Sequence, residues 1–161
     1  MNPGFGRWGA NFNPSVSSML LCGKKCVSMP DFPTNLDQAR RYLKAIEDGD
    51  ATSVLNLFSP GTVLERLPNR IYPNGLRANV DQAAAAFEKG RKIFSRQTYE
   101  ITHEVSTGNT VALEVLWTGT LAIPFGTLTA GSQMHSHSAM FLEFRAGKIV
   151  AQRNYDCFEP W

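Results

Sequence analysis

The sequence predicts an α+β domain in which a curved, mostly antiparallel sheet wraps, as a cone-shaped barrel, around three N-terminal helices. Three observations carry this. Apolar residues recur at helical spacing only in the part of the chain up to about Phe94. Beyond it come long runs that alternate apolar with polar residues, the period of half-buried strands. The end of the chain, Met134–Trp161, reads as a β-hairpin with Ala146-Gly147 as its tight turn. Helices followed by strands, rather than interleaved with them, indicate α+β and not a βαβ alternation.

The elements follow in order. Residues 1–32 hold Gly4, Gly6, Gly9, Gly23, Pro3, Pro14 and Pro30 among scattered Phe5, Trp8 and Phe12, with no sustained period. They read as an irregular N-terminal extension in which Met19 and Met29 stand as alternative starts. A single domain spans 33–161. Thr34 or Asn35 caps a first helix with Asp37 in its first turn; Leu36, Ala39, Leu43 and Ile46 form its apolar stripe and Gly49 closes it. Asp50 caps a short second helix bearing Val54, Leu55, Leu57 and Phe58, which Ser59-Pro60-Gly61 terminates. Thr62–Leu67 is a short strand running into a loop marked by Pro68-Asn69, Pro73-Asn74 and Gly75. Asn79 and Gln82 make a capping box for a third helix, about Val80–Phe94, presenting Ala83, Ala84 and Phe87. The remaining strands are Gln97–Val105, Thr110–Ile123, Met134–Arg145 and Lys148–Phe158.

Composition narrows the function. A net charge of +2 over 161 residues is too mild for a nucleic-acid partner. No run approaches the roughly 18 apolar residues of a membrane span. Ser18–Cys22 is too short for the apolar core of a signal peptide, and Lys24-Lys25 follow it instead of preceding it. Three cysteines without framework spacing suit a reducing compartment, so a cytoplasmic location is expected. Cys22 and Cys26 lack a second ligand pair, and neither metal nor cofactor is expected.

Period 2 puts Gln152, Asn154 and Asp156 on one face of the last strand. A row of amide, amide and carboxylate is costly to bury without partners, so it is either a wet surface or the lining of a pocket. Tyr42, beside Leu43, is a core aromatic or a hydroxyl aimed into a cavity. Glu65 and Arg66 interrupt an apolar strand, either as an inward acid or base or as an exposed Glu–Arg edge. His135 and His137 share a face at i and i+2, a spacing that also suits a ligand pair. If Met140, Leu142 and Phe144 face a cavity, both imidazoles point to the opposite side unless a bulge reverses them.

The order helix, Gly49-Asp50, helix, short strand with a Pro/Gly loop, third helix and long strands resembles the nuclear transport factor 2-like superfamily. Trp117-Thr118-Gly119-Thr120, the loop Pro124…Gly126…Ala130-Gly131, and Phe144-Arg145-Ala146-Gly147-Lys148-Ile149-Val150 with Tyr155-Asp156 look like its SnoaL-like polyketide cyclase branch. The likeness covers roughly Pro33 to Trp161. It implies a small-molecule pocket between helices and sheet, and homodimerisation through the outer sheet face. Asp156 lies close to the acid/base Asp of the cyclases, and Tyr42 is similar to the oxyanion-donating Tyr of ketosteroid isomerases. The isomerase base falls near Arg66, with Glu65 adjacent; its protonated Asp falls near Met140; the cyclase His falls near Phe141 or Leu142. The two departures from the isomerase pattern argue against steroid isomerisation, and the partner His of the cyclases is missing as well.

The expectation is therefore a cofactor-independent acid/base enzyme of isomerase, cyclase or hydrolase type, acting on a small apolar, oxygenated molecule. Asp156, Tyr42 and Glu65 are the catalytic candidates. Trp117, Met140, Leu142, Phe144, Gln152, Asn154, Phe58 and Phe87 are expected to line the pocket, with His135, His137 and Arg66 as further candidates. The alternative is a non-catalytic module that binds a hydrophobic ligand or dimerises.

Overall fold

The structure, a computed structural model, describes residues 33–161. The proposed extension, its alternative starts, Ser18–Cys22 and the Cys22/Cys26 pair lie outside the described residues. Helix α1 spans Asn35–Glu47. Thr34 caps it reciprocally: its hydroxyl accepts from the Asp37 N–H at 3.1 Å and its own N–H donates to the Asp37 carboxylate at 3.0 Å. One face of α1 buries Ala39, Tyr42, Leu43 and Ala45. Gly49, at φ +68°, reverses the chain into α2, Ala51–Asn56, which Asp50 caps.

Here the structure departs from expectation. Phe58 does not continue α2; it begins strand β1, Phe58–Arg66, and Ser59-Pro60-Gly61 lie inside that strand. Strand pairing takes over at once, because the Leu57 carbonyl accepts from the Ile149 N–H at 2.8 Å. Pro60 has no N–H to give a ladder, and it sits where the register with the neighbouring strand shifts between Phe58 and Val63. A three-residue strand β2, Leu76–Ala78, also interrupts what reads as loop; it is too short to display a period. Helix α3, Val80–Ile93, has the expected Asn79/Gln82 capping box.

Strands β3 (Phe94–Thr107), β4 (Thr110–Leu121), β5 (Gln133–Arg145) and β6 (Lys148–Phe158) complete a six-stranded sheet in the order β2-β1-β6-β5-β4-β3. The β1–β6 pair is parallel and the other pairs are antiparallel. The sheet does not close on itself; β2 and β3 are its edges. Ala146 and Gly147 both have positive φ, 50° and 70°, as the tight turn of the β5–β6 hairpin requires.

Two apolar clusters hold helices to sheet. Around the hairpin end, Ala39, Leu43 and Val54 pack on Val111, Leu142, Phe144 and Ile149. At the other end Trp117, Leu121 and Met134 pack with Phe94, Phe125, Phe158 and Trp161. Leu142 and Ile149 are fully buried, each worth about 2 kcal/mol of apolar transfer. Along the same inner face, buried polar residues intervene: Ser136, Ser138, Gln152 and Asn154. That change of character marks the site.

Candidate functional site

Strand β6 lies inside the sheet, between β1 and β5, so its inward side chains meet inward side chains from both neighbours. Across from β5, Asp156 faces Ser138, Asn154 faces Met140 and Gln152 faces Leu142. Across from β1, Gln152 is level with Leu64 and Asn154 with Arg66. The polar row therefore lines a cavity of about 490 Å³ between helices and sheet, with Tyr42, Phe58 and Phe87 on its walls.

Two hydrogen-bonded chains run along this wall. In the first, the Tyr42 hydroxyl donates to Gln152 Oε1 at 2.8 Å, and Gln152 Nε2 donates to Asn154 Oδ1 at 2.7 Å. In the second, Asp156 is held at both oxygens: Arg66 Nη1 donates to Oδ2 at 2.9 Å and the Ser138 hydroxyl to Oδ1 at 2.9 Å. Ser136 Oγ lies 3.1 Å from Ser138 Oγ and extends this chain. Between β3 and β4, Gln97 Oε1 accepts from Trp117 Nε1 at 3.1 Å and from the Tyr99 hydroxyl at 3.4 Å.

Burial and charge set the protonation of these groups. Burial pushes the Tyr42 and Tyr99 pKa values up, against a smaller opposing pull from the Arg66 charge. Both stay neutral donors. Desolvation is the largest single influence on the Arg66 cation and works against it, but the Asp156 carboxylate together with Tyr99, Tyr42 and Tyr72 outweighs it and the net shift is upward. The Asp156 side chain is 5% exposed and that of Arg66 41%. Protein surrounds Arg66, so this exposure is the signature of a group on the wall of an open cavity. The ion pair is thus lopsided: the anion is covered and the cation is open.

No buried side-chain nitrogen or oxygen among the described residues lacks a partner. Asn154 Nδ2 and Arg66 Nε and Nη2 make no hydrogen bond to a described residue, so they are not sealed off. Among the described residues, they are donors left open on the cavity wall.

Of the residues singled out from sequence, Asp156, Tyr42, Arg66, Trp117, Met140, Gln152, Asn154, Phe58 and Phe87 border the cavity. Leu142 and Phe144 do not: they share the inward face but lie at the hairpin end, where α1 covers the sheet and fills the space. Glu65 borders the cavity, yet alternation turns its side chain to the other face, in register with Arg77 and Arg153. Arg66 is the inward residue of that pair. His135 and His137 lie on the outer face; His135 Nδ1 is 3.1 Å from the Thr118 hydroxyl and His137 is exposed. Arg153 is also outside, paired with Glu143 at 3.2 Å, so it does not reach Asp156. Tyr42 and Asp156 belong to separate chains and do not touch. Ser136, Ser138, Gln97 and Tyr99 were not anticipated; the alternation of β5 puts both serines on the face of Met140, which is the signal that points to them. Among the described residues, no group of three or more His, Cys, Asp or Glu side chains is placed to hold a metal.

Residues 39–152 match the model of the SnoaL-like domain. The chain belongs to this SnoaL-like family. No curated protein matches it by sequence. Among solved structures, this SnoaL-like chain is similar to IdmH from Streptomyces antibioticus, described as a candidate polyketide cyclase, with 20% identity, a TM-score of 0.67, and coverage of 76% of this chain and 91% of that one. AclR from Streptomyces galilaeus, described as a candidate hydroxylase, is 20% identical with a TM-score of 0.64, over 76% of this chain and 74% of that one. An LEH-like epoxide hydrolase of M. tuberculosis is 14% identical with a TM-score of 0.62, over 76% and 81%. At such identities the likeness is one of fold. In the SnoaL-like domain, as far as the described residues go, no helix is long and apolar enough to cross a membrane.

Proposed function

We propose that this SnoaL-like protein is a small-molecule acid/base enzyme acting on an apolar, oxygenated substrate, with Asp156 as the group that moves the proton. One observation carries the reading: a nearly covered carboxylate, oriented at both oxygens by Arg66 and Ser138, stands on the wall of an otherwise largely apolar cavity. Two such bonds fix the carboxylate's rotation, the positioning that proton transfer needs. Asn154 sits two residues away on the same face, about 7 Å along the strand. That spacing leaves room for a substrate C–H or O–H at Asp156 and its oxygen at Asn154 Nδ2. Charge developing on that oxygen meets a donor held in place by Gln152, which Tyr42 holds in turn. Tyr42 is then a positioning residue, not a direct donor to substrate. Arg66 balances the charge of Asp156 as it gains and loses a proton.

Solved structures of similar fold bear names of cyclase, hydroxylase and epoxide hydrolase type, which supports a pocket enzyme without choosing among them. Dimerisation through the outer sheet face belongs to the same reading. It is supported by Phe141 and Tyr155, packed edge-to-face at 5.9 Å on that face with Tyr155 45% exposed. The free, exposed Cys157 suits the reducing cytoplasm.

The test is a thermal-shift screen of wild type and Asp156→Asn against apolar ketones, polyketide-like aromatics, steroids, epoxides and aromatic carboxylates. Ligands of the folded state raise the melting temperature by mass action. A compound class that stabilises wild type, with a shift altered by Asp156→Asn, supports the reading. Unchanged melting across all classes refutes it and favours a module that only dimerises.

A further inference from the structure

The open half of the Arg66 guanidinium has a consequence for what the cavity takes. We infer that the ligand of this pocket is an apolar organic acid whose carboxylate docks on Arg66; this rests on the reading of the cavity as a small-molecule site. Asp156 engages Nη1 alone, at 2.9 Å. Nε and Nη2 carry the other fork of the guanidinium, and neither is bonded to a described residue or sealed from solvent. A guanidinium fork matches the two oxygens of a carboxylate in one plane, which an amide or an ester cannot fully use.

The surrounding charges agree. Among the described residues, the charged ones that border the cavity are Glu65, Arg66, Lys89 and Asp156. Glu65 projects to the opposite sheet face, beside Arg77 and Arg153. The charge of Asp156 is already matched by Arg66, and its other oxygen accepts from Ser138. Lys89, on α3, adds positive charge at the border. An amine at Asp156 would bring a second cation against Arg66, whereas an acid meets donors that no described residue engages. Tyr72, whose ring centre lies 6.0 Å from the guanidinium carbon, leaves the N–H edge of the cation free. Phe58, Phe87 and Trp117 supply the apolar surface for the rest of the molecule. A carboxylate on one fork of Arg66 brings the adjoining carbons next to Asp156 on the other, where the proposed proton transfer takes place.

The test compares naphthalene-2-carboxylate with its neutral isostere naphthalene-2-carboxamide by titration calorimetry at neutral pH, on the full chain. Wild type is expected to prefer the acid by about tenfold or more, the usual worth of a charge-assisted bidentate contact over a neutral one. Arg66→Gln should erase the preference while retaining amide affinity, which reports an intact cavity. Arg66→Lys should keep part of it. If Arg66→Gln does not fold, Arg66→Gln with Asp156→Asn removes the uncompensated charge and serves in its place. Equal affinity of wild type for acid and amide overturns this inference alone. A preference that survives the loss of Arg66 overturns it too. Binding of neither probe overturns the inference together with the small-molecule reading beneath it.

Discussion

Arg66 and Asp156, ninety residues apart in the chain, form an ion pair at 2.9 Å that joins β1 to β6 on the cavity wall. Removing one partner of a covered pair leaves the other desolvated and unmatched. Arg66→Gln is expected to cost about 2 kcal/mol, less than for a fully buried pair because the arginine is partly open. Arg66→Gln with Asp156→Asn should recover most of that loss. Urea denaturation of the two singles and the double checks this; additive losses would contradict it.

The Tyr42–Gln152 bond makes a second prediction. Tyr42→Phe leaves the buried Gln152 Oε1 without its donor and should cost roughly 1–3 kcal/mol. Denaturation at neutral pH measures it. A change within error would mean that Gln152 repairs the bond elsewhere.

The same residue sets a pH dependence. Burial holds the Tyr42 and Tyr99 pKa values above the ordinary tyrosine value of 10.0. Above pH 10 the unfolded chain therefore releases these protons while the folded chain keeps them. Their contribution is full below that value and is lost as pH rises toward the folded pKa values. Stability should fall beyond pH 10, and less steeply in Tyr42→Phe and Tyr99→Phe than in wild type. Parallel slopes in all three proteins would refute the assignment.

Gly119 should not tolerate a side chain. A Cβ there would stand 2.5 Å from the Trp117 ring and 2.9 Å from Phe94. Gly119→Ala is expected to cost about 1–3 kcal/mol through overpacking and to move the tryptophan fluorescence, since Trp117 packs edge-to-face on Phe94 and Phe158. Unchanged stability and emission would show that the ring moves aside freely.

Much of this fold is legible in sequence because its strands are long. Lys148–Phe158 alternates for long enough that its bounds and its polar face both follow from period 2. That alternation cannot say which residues share a cavity. Glu65 and Arg66 are adjacent, so choosing the inward one needs the register of β1 on β6, a pairing across some ninety residues that no local pattern encodes. Leu142, Phe144 and Met140 have the same face but different depths, and only the placement of α1 decides which of them α1 covers. The end of α2 differs from the sequence expectation for a related reason: Pro60-Gly61 is a sound stop signal, but the ladder with β6 captures Phe58 first.

The central claim is that Asp156 moves a proton within the cavity. Deuterium exchange at the α-carbon of 2-tetralone, an apolar aromatic ketone, tests it most directly, followed by NMR in D₂O with wild type, Asp156→Asn and Tyr42→Phe. Wild type should exchange well above the buffer rate, Asp156→Asn should lose about a hundredfold as expected for a general base, and Tyr42→Phe should lose less. Exchange by Asp156→Asn at the wild-type rate, or by wild type no faster than buffer, would contradict the account.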